Sequence, residues 1–203
     1  LLLLGWAPEG EQEIFSLDEM IKIWDPARIS KSPAIFDPLK LRAINAAYIR
    51  ALPAEEFRRL ADPFIDSAVH CDIDRDLLCA NLQPRCEVLE DIPPQLDFFD
   101  AVLPIDAEMY RNKKQKTTPE SAKEALTALL PVLEAQTDWT RDAIFEACKT
   151  LAEQLEKKNG WLLFPLGIAL SGKARTPGGG TDLAAMMGRE ETLARVKAAL
   201  EKL

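Results

Sequence analysis

The stretch AIFDPLKLRAINAAYIR, residues 34–50, decides the fold class because it combines a helix start with a helical apolar period. Asp37 is suited to cap a helix N-terminus, and Pro38 is suited to the first turn, where no backbone N–H is needed. Apolar side chains then recur three or four residues apart, at positions that share one helix face. The stretch therefore predicts an α-helix, and its expected buried stripe is Leu41, Ile44, Tyr48 and Leu52.

Outward from this stretch, similar signals predict helices along nearly the whole chain. Ser16 and Glu19 have capping-box spacing at the start of SLDEMIKIW. Thr118 is expected to cap TPESAKEALTALL, and Thr140 is expected to cap RDAIFEACKTLAEQLEKK, residues 141–158. The segment WLLFPLGIAL, residues 161–170, is apolar all round and predicts a buried helix or extended segment. The final helix is expected over residues 189–203.

Helix-breaking residues suggest where these helices end. We expect Pro63 to kink or divide the helix that follows Pro53, and Pro131 to interrupt the helix capped by Thr118. Asn159-Gly160 is expected to stop the helix that follows Thr140. Because no alternating strand pattern is visible, we predict an all-α fold of two consecutive helical bundles. The expected division is 1–52, 53–104 and 105–203.

Charge is distributed unevenly over a chain of 203 residues with a net charge of −8. The overall sign argues against a dedicated nucleic-acid-binding domain. Residues 62–108 are strongly acidic, and their only bases are Arg75 and Arg85. Residues 31–59 and the run RNKKQKTTPESAK, residues 111–123, are basic. A polyanion could bind these basic regions, and the alternative is that they are ordinary solvated faces.

The composition, with 47% hydrophobic residues, indicates a packed core and excludes a disordered chain. No apolar run approaches the roughly 20 residues that a membrane helix needs. The chain begins without Met or a basic leader, as expected of part of a longer protein. The spacing of Cys71, Cys79 and Cys86 matches no common zinc site, so we expect free thiols in a reducing compartment and no metal, even with His70 nearby.

Residues 28–32, RISKS, resemble the lysine loop with which class I aminoacyl-tRNA synthetases hold the phosphates of ATP. Such a loop works within a nucleotide-binding sheet and helix N-terminus, which a chain of helices does not provide. We therefore interpret Lys31 and its neighbours as the approach to the helix at Asp37. A single histidine also excludes most catalytic triads, so we predict no catalytic residues in this chain.

Residues 1–203 together resemble the C-terminal half of bacterial glutamyl-tRNA synthetase. The opening LLLLGWAPEGEQEIFSLDEMI is similar to a segment that follows the signature lysine loop of that family. Phe36, Asp37, Lys40, Leu41, Asn45, Tyr48, Ile49 and Arg50 match its F-D-x-x-K-L-x-x-x-N-x-x-Y-I-R signature. ALSGKARTPGG and MGREETLARV, residues 169–179 and 187–196, look like its closing motifs.

The resemblance implies the end of a stem-contacting region at 1–52, followed by two helical anticodon-binding domains. The parent enzyme would ligate glutamate to tRNA(Glu) with ATP and Mg²⁺, whereas this chain alone would be inactive and need no cofactor. We expect a cytoplasmic monomer whose partner is tRNA. One alternative is a non-catalytic helical adaptor that binds a protein through its acidic face. Another is a paralogue that acts on glutamine-type tRNA.

The resemblance also implies which residues contact tRNA. Arg85 in QPRCEVL takes the place of an arginine that reads an anticodon base, although it could instead pair with Glu87 or Asp91. Thr176, Pro177 and Gly178 match a turn that contacts the anticodon loop, although they could be only a linker between helices. Gly167 stands where the family usually has a second arginine, so Lys173 or Arg175 is expected to share that role. Cys86 replaces a common aromatic. Lys40 and Arg50, from the signature, complete the expected tRNA-binding set.

Overall fold

The computed structural model describes residues 5–10, 12–30 and 35–203 of this chain. Lys31 and Ser32 of the RISKS stretch lie outside these residues, as do Leu1 to Leu4 and Ala34. Helices dominate the described part, which has isolated bridges at Trp6–Ile29 and Asn112–Thr117 but no extended strand. The predicted all-α fold is therefore confirmed.

The α-helices are α1 (Leu17–Ile23), α2 (Pro38–Ala51), α3 (Ala54–Asp66), α4 (Arg75–Leu82), α5 (Pro119–Ala135), α6 (Arg141–Gln154), α7 (Asn159–Ser171), α8 (Gly180–Met187) and α9 (Arg189–Lys202). Short 3₁₀ turns lie between these helices, at Pro26–Arg28, Gln83–Arg85, Leu89–Asp91, Pro93–Gln95 and Ala107–Tyr110. The predicted caps at Ser16, Asp37, Thr118 and Thr140 are all present.

The hydrophobic core centres on α7, which contacts α5, α6, α8 and α9. This position explains why α7 is apolar all round, with Leu162, Leu166 and Leu170 completely buried. The same hydrophobic cluster continues through α4 to the buried face of α3. The division at 53–104 and 105–203 stays a prediction. In the described ranges, no helix has the length and apolarity needed to cross a membrane.

Pro63 was expected to kink or divide one helix and Pro131 to interrupt another, but neither proline divides its helix. Pro63 is part of α3 and Pro131 is part of α5, and both face solvent. The missing proline N–H costs helix stability, but buried residues on each side of the proline keep these helices continuous. Ala61 and Ile65 flank Pro63, while α5 buries leucines on both sides of Pro131. Tertiary packing therefore outweighs the local helix-breaking signal.

The predicted stop at Asn159-Gly160 is also wrong, because Asn159 begins α7. Helix α6 ends earlier, at Gln154, where Glu156 adopts a left-handed φ of 54°. The N–H of Lys157 then donates to the carbonyl of Ala152 at 2.8 Å, a bond that closes a helix C-terminus. The left-handed residue that ends α6 is therefore Glu156, whereas the sequence pattern placed the end of this helix at Asn159-Gly160.

The buried stripe of α2 differs from the predicted one. Ala46 and Ile49 are the buried residues of this helix, whereas Leu41 and Tyr48 are exposed. The Tyr48 hydroxyl donates to the carbonyl of Phe15, and the Asn45 amide donates to the carbonyl of Glu87 at 2.6 Å. These polar bonds fasten α2 to its neighbours, so Tyr48 contributes through its hydroxyl rather than through burial.

Candidate functional site

Arg85 occupies an exposed position at the end of a 3₁₀ turn that directly follows α4. Its Nη1 donates to the carbonyls of Thr176 and Pro177, at 3.4 and 3.2 Å. The alternative of an ion pair with Glu87 or Asp91 is wrong, because Arg42 pairs with both of those carboxylates. The structure thus joins two segments that are more than ninety residues apart in sequence.

The Thr176-Pro177-Gly178 turn lies in the loop between α7 and α8. Gly172 directly follows α7 and caps its C-terminus, with a φ of 67° in the left-handed region. The Thr176 hydroxyl donates to the carbonyl of Gly178 at 2.6 Å and closes the turn. A Cβ at Gly178 would lie 2.5 Å from the Cβ of Asp182, so a side chain there would displace the turn. Glycine is required at this position for close approach.

An open cleft of about 680 Å³ lies between the Arg85 turn and the loop that leads into α8. Five of the predicted residues meet at this cleft: Arg85, Lys173, Thr176 and Gly178 line it, and Pro177 bonds to Arg85. Gly167 and Arg175 line it as well. Residues from ALSGKARTPGG and from QPRCEVL, two motifs that are distant in sequence, therefore line the same cleft.

Lys173 and Arg175 are neighbours in sequence but have different surroundings. Lys173 forms an ion pair with Asp97 and donates to the carbonyl of Pro94 at 2.8 Å. Arg175 is exposed and has no carboxylate partner among the described residues. Lys173 therefore fastens the loop to the acidic segment, whereas the guanidinium of Arg175 remains available to a ligand.

Residues that the sequence did not suggest also line the cleft. Arg141 lies 5.4 Å from the centre of the Phe145 ring, and its Nε donates to Asp182 at 3.1 Å. Phe145 and Phe164 add aromatic surface. In the sequence, Arg141 has the ordinary position of a first-turn residue after the Thr140 cap. Only the packing of α6 against α8 brings it to the cleft.

Lys40 and Arg50 belong to α2 and do not line the cleft. Lys40 forms an ion pair with Glu13 at 2.5 Å. Arg50 is exposed and has no carboxylate partner within the described part of the chain. If these residues contact a ligand, they do so on a surface separate from the cleft.

The cysteines and the histidine do not form a metal-binding arrangement in the described residues. All four cysteines are free thiols. Burial raises the pKa of Cys86 to about 11, so this thiol next to Arg85 stays protonated at neutral pH. The His70 imidazole lies 2.6 Å from a carboxylate oxygen of Asp100. These side chains serve packing and local hydrogen bonding.

The chemistry of the cleft suits an unstacked nucleotide base. Both Arg85 contacts use Nη1, and the described residues offer no acceptor to its Nε or Nη2. That edge of a guanidinium can donate two parallel hydrogen bonds to a base or a phosphate. Aromatic rings beside it offer stacking surfaces. The cleft therefore combines a hydrogen-bonding edge with aromatic faces.

Known proteins resemble this chain over its whole length. A family model described as an anticodon binding domain matches residues 41–200. The glutamate–tRNA ligases of Clostridium botulinum (strain Hall) and Clostridium tetani are 45% and 43% identical to the chain over 203 residues. The chain is covered completely in both alignments but spans only 42% of each relative.

Solved structures give the same result. A glutamate tRNA ligase from Elizabethkingia meningosepticum, in complex with its amino acid, matches with a TM-score of 0.84 at 28% identity. A glutamate-tRNA synthetase from Elizabethkingia anophelis matches with a TM-score of 0.79 at 25% identity. The matches cover 99% and 98% of this chain and 39% of each solved chain. The chain belongs to the anticodon-binding domain family.

Proposed function

We propose that this chain binds the anticodon arm of tRNA(Glu) as part of a glutamate–tRNA ligase. The observation that supports this most directly is the orientation of Arg85, which is held on two backbone carbonyls while its Nε and Nη2 edge has no described acceptor. A side chain fixed in this way loses little further conformational entropy when it binds a base.

The proposed roles differ among the site residues. Arg85 donates to one anticodon base, and the Thr176-Pro177-Gly178 turn contacts the neighbouring nucleotides through its backbone. Lys173 holds the loop in place, and Arg175 supplies a second cation where the usual arginine is replaced by Gly167. Lys40 and Arg50 make a separate contact with the tRNA, away from the cleft.

We infer that ligation itself belongs to the part of the enzyme that this chain does not span. The parent reaction would use ATP and Mg²⁺ to activate glutamate. The described residues present no group of carboxylates, histidines and cysteines suited to a metal ion, so no step of that reaction is assigned to them. We expect the isolated chain to be a cytoplasmic monomer without pyrophosphate-exchange activity.

A binding experiment tests this proposal. Fluorescence anisotropy should compare unmodified transcripts of tRNA(Glu), of an anticodon-substituted tRNA(Glu) and of tRNA(Gln), all at two salt concentrations. The expected result is preference for tRNA(Glu) over the substituted transcript, with affinity that falls as salt rises. Equal affinity for tRNA(Gln) would indicate the glutamine-type paralogue. An absence of binding to every transcript would contradict the proposal and favour the protein-binding adaptor.

A further inference from the structure

A turn rich in lysine borders the cleft and has no role in the function proposed above. It comprises residues 112–117 and is called the lysine turn here. Lys113, Lys114 and Lys116 are all exposed in it. Gln115, at its centre, lines the same cleft as Arg85. A positively charged element therefore adjoins the candidate base-binding site of an acidic chain.

The lysine turn is held in one conformation by local hydrogen bonds. The Asn112 side-chain oxygen accepts from the backbone N–H of Lys114 and Gln115, at 3.0 and 3.1 Å. Asn112 and Thr117 also exchange two backbone hydrogen bonds of 3.0 Å. The buried Thr117 hydroxyl donates to the carbonyl of Tyr110 at 2.7 Å. The backbone that presents these lysines is thus anchored at both ends.

The lysine turn touches the start of α7, where two more lysines precede the helix. A Cβ at Gly160 would lie 1.7 Å from the side-chain oxygen of Gln115, so the glutamine side chain occupies the space above this glycine. Lys157 and Lys158 come directly before this contact, and both are exposed. The lysine turn together with Lys157 and Lys158 is called the lysine rim below.

The lysine rim differs from most of the basic residues elsewhere because its charges are not neutralised. Among the described residues, no carboxylate lies within ion-pair distance of Lys113, Lys114, Lys116, Lys157 or Lys158, whereas Arg42, Arg58, Arg59, Arg75, Arg141 and Lys149 are all paired. Lys157 makes a different contact, 5.3 Å from the centre of the Trp161 ring. The acids nearest in sequence, Glu108, Glu120, Glu153 and Glu156, form no ion pair with these lysines. The rim therefore presents five lysines that have no carboxylate partner among the described residues.

We propose that the lysine rim binds the phosphates of the RNA strand whose bases enter the cleft. This inference rests on the proposed function, and it adds a second element: the rim would contribute affinity and orientation without reading sequence. An RNA backbone fits better than an acidic protein because the rim continues into a cleft with aromatic faces and an unsatisfied guanidinium edge. Bases and phosphates of one strand could occupy the two surfaces together.

Salt dependence tests the proposal, because each phosphate contact releases counterions. The experiment measures tRNA(Glu) binding by the 203-residue chain and by a K113Q/K114Q variant over a salt series. Removing two phosphate contacts should reduce the slope of log affinity against log salt by about 1.4 to 1.8. Binding of the anticodon-substituted transcript should weaken by the same factor. A K157Q/K158Q variant should change the salt slope similarly, and the melting curve of K113Q/K114Q should match that of the wild type.

The matched control is K197Q/K202Q, which removes the same charge from exposed lysines of α9 that lie outside the rim and outside residues 1–52. Its salt slope should stay at the wild-type value. If the control lowers the slope as much as K113Q/K114Q, or if K113Q/K114Q leaves it unchanged, the rim does not bind phosphate. In that case, continued anticodon preference of the wild-type chain would leave the proposed function intact. Failure of the wild-type chain to bind any tRNA would overturn both.

Discussion

The two sides of the cleft are stabilised differently. The helical side consists of α7 and α8, in which buried leucines pack between neighbouring helices and Gly180 lies against Leu163 and Gly167. The turn side consists of residues 83–110, which form successive 3₁₀ turns rather than a long helix. Helices satisfy most of their own carbonyls, whereas short turns leave carbonyls that need other donors.

Side chains from elsewhere supply those donors on the turn side. Arg195, only 4% exposed, donates from α9 to the turn-side carbonyls of Phe98 and Phe99 at 2.7 and 2.6 Å, and also to the carbonyl of Leu170 in the last turn of α7 at 2.7 Å. Lys173 likewise donates to the carbonyl of Pro94. The helical side therefore depends on close packing, and the turn side depends on a few polar side chains. Substitutions that remove a polar donor should destabilise the turn side, and substitutions that disturb packing should destabilise the helical side.

The largest expected effect is loss of the buried guanidinium in Arg195→Met. This change keeps the apolar stem but leaves three buried carbonyls without donors, which should cost roughly 3–5 kcal/mol of unfolding free energy. Urea denaturation followed by circular dichroism measures it. Lys197→Met is the control on the same helix, because it removes only an exposed pair with Glu134 and should cost at most about 1 kcal/mol. Similar losses in both variants would contradict the role given to Arg195.

On the helical side, Gly180 and Gly167 form a matched pair. A Cβ at Gly180 would lie 2.6 Å from the carbonyl oxygen of Leu163, so Gly180→Ala should cost about 1–3 kcal/mol through overpacking. A Cβ at Gly167 would meet nothing closer than 3.8 Å, so Gly167→Ala should stabilise the helix by about 0.5–1 kcal/mol. Thermal melts of both variants test this. An equal change in melting temperature in the same direction for both variants would mean that close packing at Gly180 does not determine the stability of the helical side.

The smallest expected effect is on the pH dependence of stability, and it concerns Asp100 on the turn side. Hydrogen bonds from the His70 imidazole, and from the backbone N–H of His70 and Cys71, hold the pKa of Asp100 far below its usual range. A lowered folded-state pKa stabilises the fold above the unfolded value of about 3.9, and that contribution is lost as the pH falls further. Asp100→Asn should therefore lower the melting temperature at neutral pH and flatten its decline below about pH 4.

The control for Asp100 is Asp72→Asn, since Asp72 is exposed in the same acidic segment and makes no hydrogen bond or ion pair with the described residues. Its melting temperature should follow the wild type from pH 7 to acid. If the acid decline of Asp100→Asn is as steep as that of the wild type, the local hydrogen bonds do not contribute to stability.

Much of the fold could be predicted from local signals. Caps such as Asp37 and Thr140 act within a few residues, so the sequence alone identifies the starts of α2 and α6. The errors arose at Pro63, Pro131 and Asn159 and in the buried face of α2, where the outcome depends on which residues are buried. Burial is set by distant elements, and one sequence does not reveal it.

The site shows the same limit. Motif similarity identified Arg85 and the Thr176-Pro177-Gly178 turn, but nothing local indicates that they touch. Arg141 reaches the cleft only through the packing of its helix. The pairing of Lys173 with Asp97 likewise joins distant segments and holds the loop, while the expected tRNA contact of Lys173 stays a prediction.

The central claim is that Arg85, where the two sides meet, reads a base, and Arg85→Ala tests it most directly. Affinity for tRNA(Glu) should fall by about tenfold to a hundredfold, because a bidentate base contact is worth roughly 1–3 kcal/mol. Affinity for the transcript substituted at the base that Arg85 reads should change little, and Arg189→Ala, the control for loss of one exposed arginine, should match the wild type. Equal weakening of both transcripts by Arg85→Ala would contradict the base-reading role.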